Sequence, residues 1–152
     1  MSRILDISGK LENLVDVLAE YEDALKGVED HIEVKGKLLE KANVENPAWQ
    51  NFYDQKKIEL HTLMKYMDAE VQRVRSKLFR SFKENHSREL NEREINRYID
   101  SEPAYLTMNE LKLEVQEMYD KYSAVVEAFR VRGYALNNIT KIRVASLEDV
   151  EL

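Results

Sequence analysis

Three observations predict an all-α protein built of long helices. Apolar residues recur at alternating spacings of three and four over long stretches. Helix breakers are scarce, with four Gly and two Pro in 152 residues. Ala, Glu, Lys, Leu and Arg dominate a chain in which 34% of residues are charged, a composition typical of long helices and coiled coils. No alternating strand pattern of any length occurs. The chain carries several strict heptad seams, more apolar edge than one small core needs, so an oligomeric helical assembly is expected.

The first seam reads Leu11, Leu14, Leu18, Tyr21, Leu25, Val28, Ile32 and Leu39, with Lys35 as its one gap. It predicts a long helix with a partner helix and Ser8 as N-cap, weakened at Gly27 and ended or kinked at Gly36. "NVENPAWQ" is the clearest break: Asn46 is a capping residue, and Pro47 suits the first helical turn, where no backbone N–H is needed. The next helix is predicted from Pro47 to about Lys83. Its seam is Tyr53, Leu60, Met64, Met67, Val71, Val74 and Leu78, broadened by Trp49, Phe52 and Leu63.

"ENHSREL" interrupts that periodicity. "NERE" at Asn91–Glu94 has the order of a capping box and opens a short helix to about Asp100. "TMNE" at Thr107–Glu110 is a second such box. It is expected to open a third long helix with the seam Leu111, Val115, Met118, Tyr122, Val125 and Phe129, ending at Gly133 as a left-handed C-cap. A last short helix carries Leu136, Ile139 and Ile142, and "ASLEDVEL" is expected to fray.

The chain contains no Cys, which excludes disulfides and thiolate metal sites and fits a reducing compartment. The N-terminus has no apolar signal core, and no run approaches the ~20 apolar residues of a membrane span. A soluble, cytoplasmic protein is expected.

The net charge of −6 hides a gradient. Residues 1–72 hold 9 Lys/Arg against 15 Asp/Glu; residues 73–144 hold 14 against 11; residues 145–152 hold three acids and no base. Three regions follow: an acidic N-terminal helix over 1–45, a helical region over 46–144, and an acidic tail over 145–152.

No catalytic constellation is present. His31, His61 and His86 have no partner at metal-ligand spacing, the acids are unclustered, and the four glycines make no phosphate loop. The chain reads as a non-enzyme with no cofactor and no metal.

The stretch that stands out is "VQRVRSKLFRSFK", Val71–Lys83, with five positive charges and no acid. It lies at the C-terminal end of the second predicted long helix, where cations favour the helix dipole by ~0.3–1 kcal/mol each. Composition leaves three explanations open: a solvated helix face, a surface for a nucleic-acid backbone, and a surface for an acidic protein. Phosphate binding would use Arg73, Arg75, Lys77, Arg80, Lys83 and the following Arg88. Phe79 and Phe82 offer rings for base stacking, and either ring fits a core equally well. Further positive charge follows at Arg93, Arg97, Arg130, Arg132, Lys141 and Arg143.

"VRSKLFRSF", then "INRYIDSE", then "YSAVVEAFRVRGYALNNITKIR" resemble the UvsY recombination mediator proteins of T-even-type phages. The family has a short Lys-Ala-Arg-Leu motif; here Arg75–Leu78, "RSKL", stands in its place with each base exchanged for the other kind. Arg97, Tyr98, Ser101 and Glu102 match a further step. The strongest match is C-terminal, at Phe129, Arg132–Gly133, Ala135, Ile139 and Arg143. The resemblance covers roughly residues 70–145.

The resemblance implies a non-catalytic protein that binds single-stranded DNA and assembles as a homo-oligomeric ring through its C-terminal region. It also implies help in loading a RecA-like recombinase onto DNA covered by single-strand DNA-binding protein, in the host cytoplasm if phage-encoded. By that similarity residues 46–144 are the DNA-binding and oligomerisation region, and Arg75 and Lys77 touch DNA. Leu111, Val115, Met118, Tyr122, Val125, Phe129, Ile139 and Ile142 hold the oligomer. The reversed Lys/Arg order is tolerable for phosphate contact, which needs charge more than a bidentate fork. The alternative is a non-enzymatic coiled-coil assembly or adaptor protein that binds protein only.

Overall fold

A computed structural model describes residues 3–145. The chain is all-α, with no strand among the described residues. Its elements are α1 (Ile4–Ile7), a 3₁₀ turn (Leu11–Asn13), α2 (Leu14–Leu25), α3 (Val28–Ile32), α4 (Leu39–Asn85), α5 (Glu92–Ser101) and α6 (Pro103–Val144).

Two long helices form the frame. At 47 and 42 residues, α4 and α6 run to about 70 and 63 Å. They lie antiparallel. Asn43 meets Thr140, Tyr53 stacks on Phe129 at 5.4 Å, and Lys112 pairs with Asp68 at 2.6 Å. As one residue number rises the other falls by nearly the same amount. The expected seams supply the contact: Tyr53, Leu60, Leu63 and Met67 of α4 are buried against Val115, Met118, Tyr122 and Phe129 of α6.

The N-terminal segment closes this core with Ile7, Leu14, Val17 and Tyr21. Two tyrosine hydroxyls fix it in place. Tyr21 donates to Glu59 Oε2 at 2.7 Å, and Tyr122 donates to the Tyr21 carbonyl at 2.8 Å. Burial, first, and then the Glu59 bond push the Tyr21 phenol up from its ordinary pKa.

Several helix limits differ from the periodicity. The first seam folds as a 3₁₀ turn and two short helices, and it stops after α3, where Glu33 is extended and Gly36 stands at φ +76°. Ser8 is the C-cap of α1 and caps no helix start. α4 begins at Leu39 and carries Pro47 inside it, so "NVENPAWQ" is no break. Asn46 is buried with its side chain turned to α6, and Arg132 donates to the Ala42 carbonyl; these contacts hold the turn before the proline helical.

Gly133 is likewise no C-cap. α6 continues through it to Val144, so the expected last short helix is part of α6. A Cβ at Gly133 would stand 3.0 Å from Asn46 Nδ2, so the glycine admits a neighbouring side chain. α6 starts at Pro103, four residues before Thr107, because proline at the first helical position sets the start.

The capping box at Asn91 is formed as expected. Asn91 Oδ1 accepts from the Glu94 amide at 3.0 Å and Glu94 Oε2 from the Asn91 amide at 3.1 Å. α5 buries Ile95 and Ile99, with Leu90, against Leu78, Phe79, Phe82 and Tyr105 in a second cluster at the far end of the pair. No helix among the described residues is long and apolar enough to cross a membrane.

Candidate nucleic-acid interface

The basic stretch is the last third of α4, where the helix has passed the main core. Helical geometry sets Arg73, Lys77 and Arg80 on one face, with Lys83 a turn further on. All four are exposed. The buried stripe of the same segment runs through Val71, then the half-buried Val74, Leu78 and Phe82. Apolar residues on one side and cations on the other follow from a 3.6-residue period laid over this sequence.

The six candidate cations divide into two groups. Three are engaged by the chain's own acids. Arg73 donates to the carboxylate of Glu70, one turn back and itself 7% exposed. Arg75 reaches across to α5, donating to Asp100 Oδ1 at 3.2 Å and Asn96 Oδ1 at 3.1 Å, with its guanidinium 5.4 Å from the Tyr105 ring centre. Arg88, between α4 and α5, pairs with Glu94 at 2.9 Å. The Glu94 carboxyl is held below its usual range, chiefly by the Asn91 amide and then by the Arg88 charge.

Lys77, Arg80 and Lys83 form the second group. They have no ion-pair partner among the described residues. Their charge is uncompensated at close range and available to an anion.

The aromatic candidates are placed differently from the cations. Phe79 and Phe82 pack into the α5 cluster and are half-buried, so neither presents a free face. The exposed rings at this end are His86 and Tyr98, and Tyr98 stacks on Phe82 with centres 5.5 Å apart at 22°. Sequence reasoning named Tyr98 only as part of the family resemblance and not as a stacking ring. The available signal was its place in α5, one step off the Ile95/Ile99 stripe in a helix too short to bury it.

The residues expected to hold an oligomer also divide. Val115, Met118, Tyr122 and Phe129 are buried in the chain's own core, and Leu111 and Val125 pack against that core. A single chain satisfies this seam, because α4 supplies the partner helix. Ile139 is half-buried, and Ile142 is 47% exposed. The apolar side chains that α6 leaves uncovered near its end are Val131, Tyr134, Ile142 and Val144.

Among the described residues no three His, Cys, Asp or Glu side chains are grouped to hold a metal ion. Comparison with protein families, with curated proteins and with solved structures finds no match for this chain.

Proposed function

We propose that this chain is a non-catalytic, single-stranded-DNA-binding recombination mediator. In this reading it helps load a RecA-like recombinase onto DNA covered by single-strand DNA-binding protein. The observation that carries DNA binding is the outer face of α4, where Lys77, Arg80 and Lys83 stand exposed with no acid from Val71 to Lys83. Lys and Arg in such a row neutralise successive phosphates and release counterions, which gives sequence-tolerant affinity. The net negative charge of the whole chain does not oppose this, since the local potential sets affinity for a polyanion. The mediator role rests on the resemblance of residues 70–145 to UvsY-type proteins.

Self-association belongs to the same reading. It is assigned to the face of α6 bearing Val131, Tyr134, Ile142 and Val144, since the opposite seam already packs on α4. Copies of a weak basic stretch in an assembly bind one strand with the avidity that a single copy lacks. That uncovered apolar face also favours the second reading, a protein-binding adaptor with no nucleic-acid partner.

Anisotropy of labelled oligo-dT, with sizing of the free protein, separates the two. Binding at low salt that weakens with added salt is expected. The triple variant Lys77→Ala, Arg80→Ala, Lys83→Ala is expected to flatten the salt dependence by about two units in log–log slope, at roughly 0.7 per phosphate contact on single strands. No binding of oligo-dT in dilute buffer would leave the adaptor reading.

A further inference from the structure

The loading reading supplies phosphate contacts but no partner for the bases. The rings suggested by the sequence, Phe79 and Phe82, are committed to the α5 cluster. Undocking α5 to free them would expose Leu90, Ile95 and Ile99, a larger loss of buried apolar surface than stacking on two rings returns.

Another aromatic surface is already open. Tyr98 is paired with two other rings and keeps part of its surface open. It stacks on Phe82 at 5.5 Å and 22°, and on His86 at 5.9 Å and 27°. Tyr98 is 41% exposed and His86 is exposed. Phe82 anchors the group to the second cluster. Tyr98 is held in position because Ile95 and Ile99, on the same short helix, are fully buried and the Asn91 capping box fixes the helix start. A ring already held in place loses little side-chain entropy when a ligand covers it.

Cations border these rings in the chain. Lys83 follows Phe82, and Arg97 precedes Tyr98; both are exposed, with no ion pair among the described residues. Lys77 and Arg80 lie one to two turns earlier on α4, on the side away from Phe82. Exposed rings flanked by the unpaired Lys83 and Arg97 suit a ligand that alternates flat aromatic groups with negative charges. A duplex does not offer this, because its base faces are covered by their own neighbours.

We propose that Tyr98, stacked on Phe82, and His86, stacked on Tyr98, form a nucleobase-stacking subsite for a single strand, with Lys83 and Arg97 holding the adjoining phosphates. The proposal rests on the nucleic-acid reading above and adds the residues that receive a base.

The test uses the full chain and two labelled ligands of equal length and charge, oligo-dT and an abasic deoxyribose-phosphate oligomer. Wild-type protein is expected to bind oligo-dT about 5- to 150-fold more tightly, the equivalent of about 1–3 kcal/mol for one stacked base. Tyr98→Ala and His86→Ala are each expected to reduce that preference and leave abasic affinity unchanged. Tyr98→Trp is expected to keep it, with new fluorescence that oligo-dT quenches. If Tyr98→Ala fails to fold by circular dichroism, His86→Ala and Tyr98→Trp carry the test. Equal affinity of wild-type protein for the two ligands overturns the subsite and leaves the phosphate contacts standing. So does an equal loss on both ligands in the folded variants. Failure to bind either ligand at low salt removes the nucleic-acid reading and the subsite together.

Discussion

Arg132 and Asn46 meet inside the helix pair, Arg132 Nη1 donating to Asn46 Oδ1 at 2.9 Å. Arg132 is 5% exposed and has no ion-pair partner among the described residues. Its other bonds go to backbone carbonyls, to Ile32 at 2.8 Å, Ala42 at 3.3 Å and Glu33 at 3.4 Å. Asn46 in turn donates to the Phe129 carbonyl at 3.2 Å. Burial lowers the Arg132 pKa, and the charge of Glu45 works against that. One side chain of α6 therefore ties down the end of α3 and the first turns of α4. Arg132→Met keeps the bulk and leaves four acceptors without their donor. A loss of about 3 kcal/mol is expected, read as a lower urea midpoint with an unchanged slope.

Gly133→Ala tests the same contact from the other side. In a helix interior Ala is better than Gly by about 1 kcal/mol, so an open site would be stabilised. Here the new Cβ would lie 3.0 Å from Asn46 Nδ2, and Asn46 is held by Arg132 and Phe129 and cannot withdraw freely. Destabilisation is expected in the native background and stabilisation when Asn46→Ala is present. A double-mutant cycle in urea measures the coupling. Additive effects would show that the asparagine does not restrict the site.

Phe129→Asp and Val131→Asp separate the two faces of α6. Phe129 is fully buried on Tyr53, and a carboxylate there has no partner, so the chain is expected to lose its cooperative fold. Val131 is 54% exposed. Its aspartate variant is expected to keep the far-ultraviolet spectrum and to sediment as a smaller species. A folded Phe129→Asp protein would contradict the intrachain assignment of this seam.

The helical class and the apolar stripes could be read from the sequence because they depend on local period. Tyr53, Leu60, Met67, Val115 and Phe129 were identified as seam residues and are buried. The Asn91 box was legible for the same reason: both of its partners lie within four residues. The errors have the opposite character. Asn46 and Gly133 carry strong local signals for a cap, yet each is 80 or more residues from the partner that overrides it. The basic stretch was legible as charge. That Asp100 would take Arg75 while Lys77 and Arg80 stayed free depends on how α5 folds back, which no local pattern encodes.

His31 gives the fold a pH dependence. Its ring stacks on Trp49 at 3.4 Å, and its Nδ1 lies 2.8 Å from the buried Tyr53 hydroxyl. Burial lowers its pKa from the ordinary value near 6.5; the charge of Asp30 opposes this and that of Lys37 adds to it. A depressed histidine pKa means that the unfolded chain binds the proton more readily. Stability is then full above about pH 6.5 and falls as pH drops toward the folded-state pKa. The urea midpoint is expected to fall between pH 7.5 and 5.5, and by less in His31→Gln. An equal fall in both proteins would assign the effect to other groups.

Arg75 and Lys77 lie in one turn of α4, on nearly opposite sides of it, and begin from different states. Arg75 is held by Asp100 and Asn96, whereas Lys77 is unpaired among the described residues. A phosphate approaching Arg75 must displace a carboxylate. The ion pair is surface-exposed on the Asp100 side, where such pairs contribute roughly 0.2–1 kcal/mol, so the barrier is modest. Lys77→Ala is expected to weaken oligo-dT binding more than Arg75→Ala does. Asp100→Asn is expected to strengthen binding up to about fivefold, the equivalent of that ion-pair energy, and to steepen the salt dependence by about 0.7, one further single-strand phosphate contact. Anisotropy titrations at several salt concentrations measure both quantities. If Asp100→Asn changes neither while Lys77→Ala still weakens binding, Arg75 lies outside the path of the strand, and the interface is the outer face of α4 alone.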